Sequence, residues 1–174
     1  MSVRVSAEAN FDFTEITQET KRELSKEVVR SATNIDRNAK RKVNVDHGRL
    51  RSSIHVKYRD PPEPVDAEVI VGADYGKFLE FGTGPRGRDS DLNAMAEQAR
   101  QEMGYQYGPA GKLPPIDVFL DWGRRKRLDP AVTMAIWFTI GMHGMRAKPF
   151  LFPAASEERE AFFSRVNQAL DRIK

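Results

Sequence analysis

The side chains able to do chemistry in this chain are few, and their spacing argues against most reactions. There is no Cys anywhere, which excludes disulfides, thiolate metal sites and a cysteine nucleophile. Its absence also fits folding in a reducing compartment. The three histidines are His47, His55 and His143. His47 follows Asp46 at a turn, His55 sits on the exposed side of an alternating strand, and His143 stands beside a helix-ending glycine. None shows the i, i+4 pairing of a zinc helix, so they read as solvated or hydrogen-bonded side chains and no metal is expected. No serine occupies a G-x-S-x-G elbow. Carboxylates are plentiful, but nothing in the order of residues sets two of them across a cleft. We expect no enzymatic activity.

Two short motifs invite a binding function. Gly82-Thr-Gly-Pro-Arg-Gly87 has the form G-x-G-x-x-G, which in a dinucleotide site follows a strand and opens a helix whose N–H groups meet a pyrophosphate. Here Pro85 removes one donor, the preceding segment reads as helical, and no βαβ unit surrounds it. No Gly-Lys-Ser/Thr follows to make a Walker A loop. No cofactor is expected. Arg124-Arg-Lys-Arg127 lies between two helical patterns, as in a helix-turn-helix reader of DNA. Such a reader presents polar side chains to base edges, whereas Ala131 to Ile140 is mostly apolar and contains no Arg, Asn or Gln. The cluster is either a phosphate contact without base readout or a solvated basic turn.

The elements that must carry these residues form an α+β pattern. With 174 residues, 40% hydrophobic and 30% charged, the chain fits one domain of ordinary size with an inserted subdomain. The net charge of +3 tolerates nucleic acid without demanding it. The polar N-terminus shows no secretory h-region, and the longest apolar stretch, Ala135 to Met142, is too short to span a bilayer. Asp12 with Glu15 reads as a capping box, stapled by Phe11 and Ile16. Behind it Ile16, Leu24, Val28, Ala32, Ile35, Ala39 and Val43 mark one stripe of a long helix over 13–43, with a basic opposite face that includes Lys26, Arg30, Arg37 and Arg41. Leu50 to Tyr58 alternates as a half-buried strand. Pro61, Pro62 and Pro64 then hold a loop, and Ala67, Val69 and Val71 give a second, antiparallel strand. Tyr75, Phe78 and Leu79 share a face over about one helical turn.

Beyond Gly84 the composition shifts toward Gly, Pro and charge. Leu92, Met95, Ala96, Ala99 and Met103 suit a short helix between flexible segments. Pro114-Pro115 starts a second, with Ile116, Phe119 and Leu120, closing near Gly123. Asp129-Pro130 starts a third, with Met134, Ala135, Phe138 and Met142, ending by Gly144. Lys148 to Pro153 suits an edge strand between two prolines, and a last helix from about Pro153 turns Phe162, Val166, Ala169 and Ile173 inward. The fold expected is therefore a long N-terminal helix on a small antiparallel sheet with a C-terminal helix. Residues 1–84 and 146–174 form its core domain, and 85–145 a helical insertion with flexible flanks.

Three segments together carry a resemblance. They are Val45-Asp-His-Gly-Arg-Leu-Arg-Ser-Ser-Ile54, Val71-Gly-Ala-Asp-Tyr-Gly-Lys-Phe-Leu-Glu-Phe-Gly-Thr-Gly84 and Ala147-Lys-Pro-Phe-Leu-Phe-Pro-Ala154. In that order, after a long helix, they resemble the head–tail joining (neck or tail-completion) proteins of long-tailed bacteriophages, the gp-ten-like family. The family patterns are D-T-G-x-L-R-x-S-I, Y-A-x-x-x-E-[FY]-G-T and R-P-F-[LM]-x-P-A. The resemblance covers roughly residues 10–84 and 146–174; Pro114 to Trp122 also echoes a P-P-[IL]-x-x-[IFL]-x-x-W helix found in some members. His47 stands where Thr is usual and Gly76 where Ala is usual.

The resemblance implies a structural virion protein, made in the host cytoplasm and located at the neck or tail. Copies would form a ring around the exiting DNA, which passes without sequence-specific readout. Partners would be other copies, the head connector or stopper, and tail-tube or terminator proteins, with no membrane. Within that reading Tyr75, Phe78, Glu80 and Phe81 are placed at a subunit contact, or else cover the sheet. Glu80, an acid in an apolar run, calls for a partner such as Arg49 or Arg51. Arg86, Arg88, Arg124, Arg125, Lys126 and Arg127 are the candidates for the DNA channel or for phosphate contact. Two alternatives stand beside this one: a minor tail or capsid-associated component, and a nonspecific DNA-binding module built on the basic helix face and Arg124 to Arg127.

Overall fold

The computed structural model describes residues 1–5, 18–43, 48–58, 66–107 and 115–172. These residues divide into two compact units, Met1–Gly76 with Pro149–Lys174, and Lys77–Lys148. The chain is α+β, with a long N-terminal helix, a small antiparallel sheet and a C-terminal helix, as its patterning predicts.

In the first unit the stripe of small and aliphatic residues does what its period demands. Helix α1 (Gln18–Lys42) buries Leu24, Val28, Ala32, Ile35 and Ala39, and Val43 just beyond it is buried too. Its 25 residues rise about 37 Å at 1.5 Å each. The proposed cap, Asp12 with Glu15, and the staple of Phe11 and Ile16 lie outside the described residues. Much of the basic face is neutralised by ion pairs: Lys26 with Glu23, Arg30 with Glu27 at 3.9 Å, Lys40 with Asp36 at 2.8 Å and Lys42 with Glu157 at 2.7 Å.

The sheet holds three strands in the order β1-β3-β2, all antiparallel: β1 (Ser2–Val5), β2 (Ile54–Tyr58) and β3 (Ala67–Val71). Ile54 faces Val71 and Val56 faces Val69, so register follows the apolar alternation. Strand β1 is not foreseen from the sequence. Four residues of mixed polarity carry little period, and the strand exists because β3 offers it an edge: Ser2 pairs with Ile70 and Val5 with Ala67.

Two strand expectations are corrected. The segment expected to be strand from Leu50 begins as a helical turn, α2 (Arg49–Ser53), and only Ile54–Tyr58 is extended. Gly48 enters in the left-handed region (φ 73°) and the Ser52 and Ser53 hydroxyls donate to the carbonyls of Arg49 and Leu50, favouring a turn over a ladder. Leu50 is buried either way. Second, Lys148 to Pro153 is not an edge strand. Residues 144–150 carry no regular structure, and α8 (Leu151–Asp171) starts two residues before Pro153. A proline fits there because N–H groups in the first turn of a helix have no intrahelical partner to lose. Phe150, Leu151 and Phe152 are all buried.

Helices α1 and α8 pack along one another, and a charged network crosses their seam. Arg165 donates to Glu27 at 2.7 Å and to the carboxylate of Glu158. The same Glu158 oxygen accepts from Ser31 at 3.1 Å and Asn34 at 3.2 Å. Burial opposes the Arg165 charge, but its hydrogen bonds to Glu158 and Glu27 outweigh that and raise its pKa. This cluster escapes a reading that looks for apolar period alone. The signal was present, since Glu158 precedes Phe162 by four residues on the buried side of α8.

Arg165→Met is expected to lower stability by about 1.5–3 kcal/mol, the usual worth of hydrogen bonds to charged groups, read from the urea midpoint. A double-mutant cycle with Glu158→Gln should show strong coupling; additive losses would mean the pair does not join the helices.

Candidate interaction surfaces

The second unit is built around a backbone crossing made by glycines. Thr83 N–H donates to the Met145 carbonyl at 2.9 Å, and Met145 N–H returns to the Thr83 carbonyl at 3.1 Å and its hydroxyl at 3.0 Å. This two-way bridge ties together the two ends of segment 85–145. It is possible only because side chains are missing on both sides. A Cβ on Gly144 would lie 1.9 Å from the Thr83 carbonyl oxygen, and one on Gly82 would lie 2.7 Å from that of Met145. Both residues also have positive φ, 73° and 76°. The G-x-G-x-x-G spacing is thus explained by chain packing. Gly84 opens α4 (Gly84–Arg88), a helix not foreseen in what read as a flexible flank.

Tyr105 and Tyr107, which follow α5 (Ala94–Glu102), close over this crossing. The Tyr105 hydroxyl donates to the Gly82 carbonyl at 2.7 Å, and its ring lies 5.2 Å from that of Phe81. Tyr107 stacks edge-on to Tyr105 at 5.9 Å, under the Arg100 guanidinium at 5.1 Å. Arg100 donates to the Tyr105 carbonyl at 2.9 Å and to the Glu97 carboxylate through two nitrogens. Hydrogen bonds from Arg100 and then Gln101 outweigh burial and hold the Glu97 carboxyl down at about 2. Burial raises both tyrosine pKa values. The alternation of Tyr105 and Tyr107 behind a helix-ending glycine, Gly104, was the available signal, and the Gly- and Pro-rich composition hid it.

Of the four residues placed at a subunit contact, Glu80 and Phe81 are wholly buried, on α3 (Gly76–Phe81). Tyr75, in the turn before α3, and Phe78 on it are exposed. Gly76, where the family pattern has Ala, stands where a Cβ would come 2.8 Å from Val71. Among the histidines, His55 and His143 are exposed and His47 lies outside the described residues. Among the described residues no group of three or more His, Asp or Glu could hold a metal, and no helix is long and apolar enough to cross a membrane.

The basic candidates are all exposed, but they do not form one patch. Helices α6 (Ile116–Arg125) and α7 (Pro130–His143) make a hairpin, so Arg124 to Arg127 sit at the start of α7. Arg86 and Arg88 sit at its far end, since a Cβ on Gly84 would come within 3.4 Å of the His143 and Gly144 backbone. The two groups are separated by the length of α7, about 20 Å for its 14 residues. Arg127 itself holds a left-handed conformation (φ 56°) in the hairpin turn, and Arg124 pairs with Asp121. Helix α6 does not close at Gly123. It continues to Arg125, and Gly123 is where it meets α7, for a Cβ there would lie 2.3 Å from the Thr133 hydroxyl.

Asp129 caps α7 by accepting from Ala131 N–H at 2.7 Å. Between Pro130 and His143 the helix carries no charge, and Ala131, Met134, Ala135, Phe138 and Met142 form a stripe at helical spacing that is exposed along its length. Phe138 keeps 56% of its surface in water. A helix apolar on every side is normally covered on every side.

Comparison with known proteins bears on the first part of the chain. Residues 7–82 match the family model described as "Bacteriophage HK97-gp10, putative tail-component". No significant match was found among curated proteins or among solved structures. The gp-ten-like resemblance drawn from the motifs is therefore shown for this stretch, which contains the first motif and nearly all of the second. The match over this stretch supports a structural role as a component of a phage tail, and so a place in the virion.

Gly144→Ala is expected to cost about 1–3 kcal/mol of strain and to speed hydrogen exchange at the Thr83 and Met145 amides; unchanged protection there would refute the crossing. A second expectation concerns Glu97. Its folded-state pKa lies below the ordinary value of 4.5, so whatever it contributes is complete above that pH and lost as pH falls through about 2. Carboxyl NMR should show Glu97 still ionised well below pH 4.5; titration at the ordinary value would refute the Arg100 contact.

Proposed function

We propose that this protein is a subunit of an oligomeric ring at the head–tail neck, or top of the tail, of a tailed phage. There it would complete the tail and join it to the filled head around the DNA channel. The observation that supports this reading is the match of residues 7–82 to a phage tail-component family, together with motifs ordered as in head–tail joining proteins. On this reading residues 1–84 and 146–174 are the family core and 85–145 is an insertion that members tailor. Partners would be further copies, the head connector or stopper, and the tail-tube or terminator proteins. Tyr75 and Phe78 are the exposed members of the proposed subunit contact. Glu80 and Phe81 would hold α3 in place from behind.

Separation of the two basic groups along α7 also suits a ring subunit. A lumen through which DNA slides should avoid dense positive charge, because each added phosphate contact holds the duplex more tightly. The same separation, with the ion pairing along α1, weakens the nonspecific DNA-binding alternative. A minor tail or capsid-associated component differs from this reading only in its position in the particle.

An amber codon at Glu80 in the source phage, with the nonpermissive lysate imaged by negative-stain electron microscopy, tests the proposal. Separate filled heads and complete tails are expected. Normal joined particles would overturn the joining role.

A further inference from the structure

The exposed stripe on α7 needs a cover, and the charges around it select among the candidates. The stripe itself is neutral, about 16 Å long from Ala131 to Met142 at 1.5 Å per residue. At its start, Arg124, Arg125, Lys126 and Arg127 outnumber the carboxylates of Asp121 and Asp129. At its far end Arg86, Arg88 and Arg146 outnumber Asp89, and all of these are exposed. A second copy laid on the stripe through its own α7 would set basic end against basic end in either direction. DNA would satisfy the ends but leave Phe138 and Met134 against phosphates, with nothing to bury them.

We propose that the outer face of α7 is a docking site for an amphipathic helix that is apolar along one stripe and acidic at both ends. Apolar residues at i, i+3, i+4 and i+7 would cover Met134, Phe138 and Met142. Carboxylates about 20 Å apart would meet the two arginine groups, giving partner choice and speed of association more than raw affinity. That the donor is another virion protein rests on the tail-component reading; the preference of the surface for acid-ended helices does not.

The probe is a synthetic peptide of about 18 residues, long enough to approach helicity, with leucines at those spacings and glutamates at both ends. A twin with lysines at the ends is the control, and binding to the full chain is followed by fluorescence anisotropy. The acidic peptide should bind at least about tenfold tighter than the basic one at low salt, the gap narrowing as salt is raised. Phe138→Glu, at an exposed position and with circular dichroism as the check on its fold, should abolish binding. Arg86→Glu combined with Arg127→Glu brings each end to no net charge by the same count and, in that variant only, should make the twins bind equally. Equal binding of the twins, binding insensitive to Phe138→Glu, or no binding of either would overturn the proposal. So would Phe138-dependent binding of anionic vesicles or of a short DNA duplex in preference to the acidic peptide, or a Phe138-dependent dimer in sedimentation. Failure here would leave the imaging of the amber lysate unaffected, and the converse holds.

Discussion

The seam between α1 and α8 is the constraint on which the first unit depends. Both helices bury small residues, Ala32 and Ala39 on one, Ala154 and Ala155 on the other, and Phe162 is buried on α8. Close-packed helices leave little room for a misplaced charge, yet Glu158 is buried there. Its cost is offset only because Arg165, Ser31 and Asn34 all donate to it and Arg165 is held in turn by Glu27. Sliding α8 by one turn would separate these partners and strand a carboxylate in the interior. The network thereby specifies register where the apolar stripe alone would permit several.

The second unit solves a different problem. Its two chain ends must meet, and they do so by backbone pairing between Thr83 and Met145 rather than by side-chain packing. Such pairing brings main chains closer than any Cβ allows, so Gly82, Gly84 and Gly144 lie at the crossing and Tyr105 seals it. A segment tied at its ends in this way can vary in length and composition without disturbing the chain to either side, because closing a longer loop costs little extra entropy.

Much of this was legible in the order of residues. The α1 stripe, the β2–β3 pairing and the Asp129-Pro130 helix start each follow from a local period or cap, and such signals need only neighbours in sequence. The errors fell where two local tendencies were balanced. Leu50 to Ser53 alternates like a strand, but its serines bond back to the carbonyls three residues earlier. Phe150 to Pro153 looks extended, but its proline is harmless in a first helical turn.

By itself, then, the sequence determined the absence of cysteine chemistry, the α+β pattern and the phage tail-component family that residues 7–82 match. These are properties of composition and local order, readable without knowing what lies opposite. Tertiary structure decided that β1 joins the sheet, that Glu80 and Phe81 are interior while Tyr75 and Phe78 are not, and that the two arginine groups stand at opposite ends of α7. It also decided that an apolar helix shows Phe138 and Met142 to water. Each of these depends on which side of an element another element covers, and that contact is made by residues far apart in the chain, which no local period records.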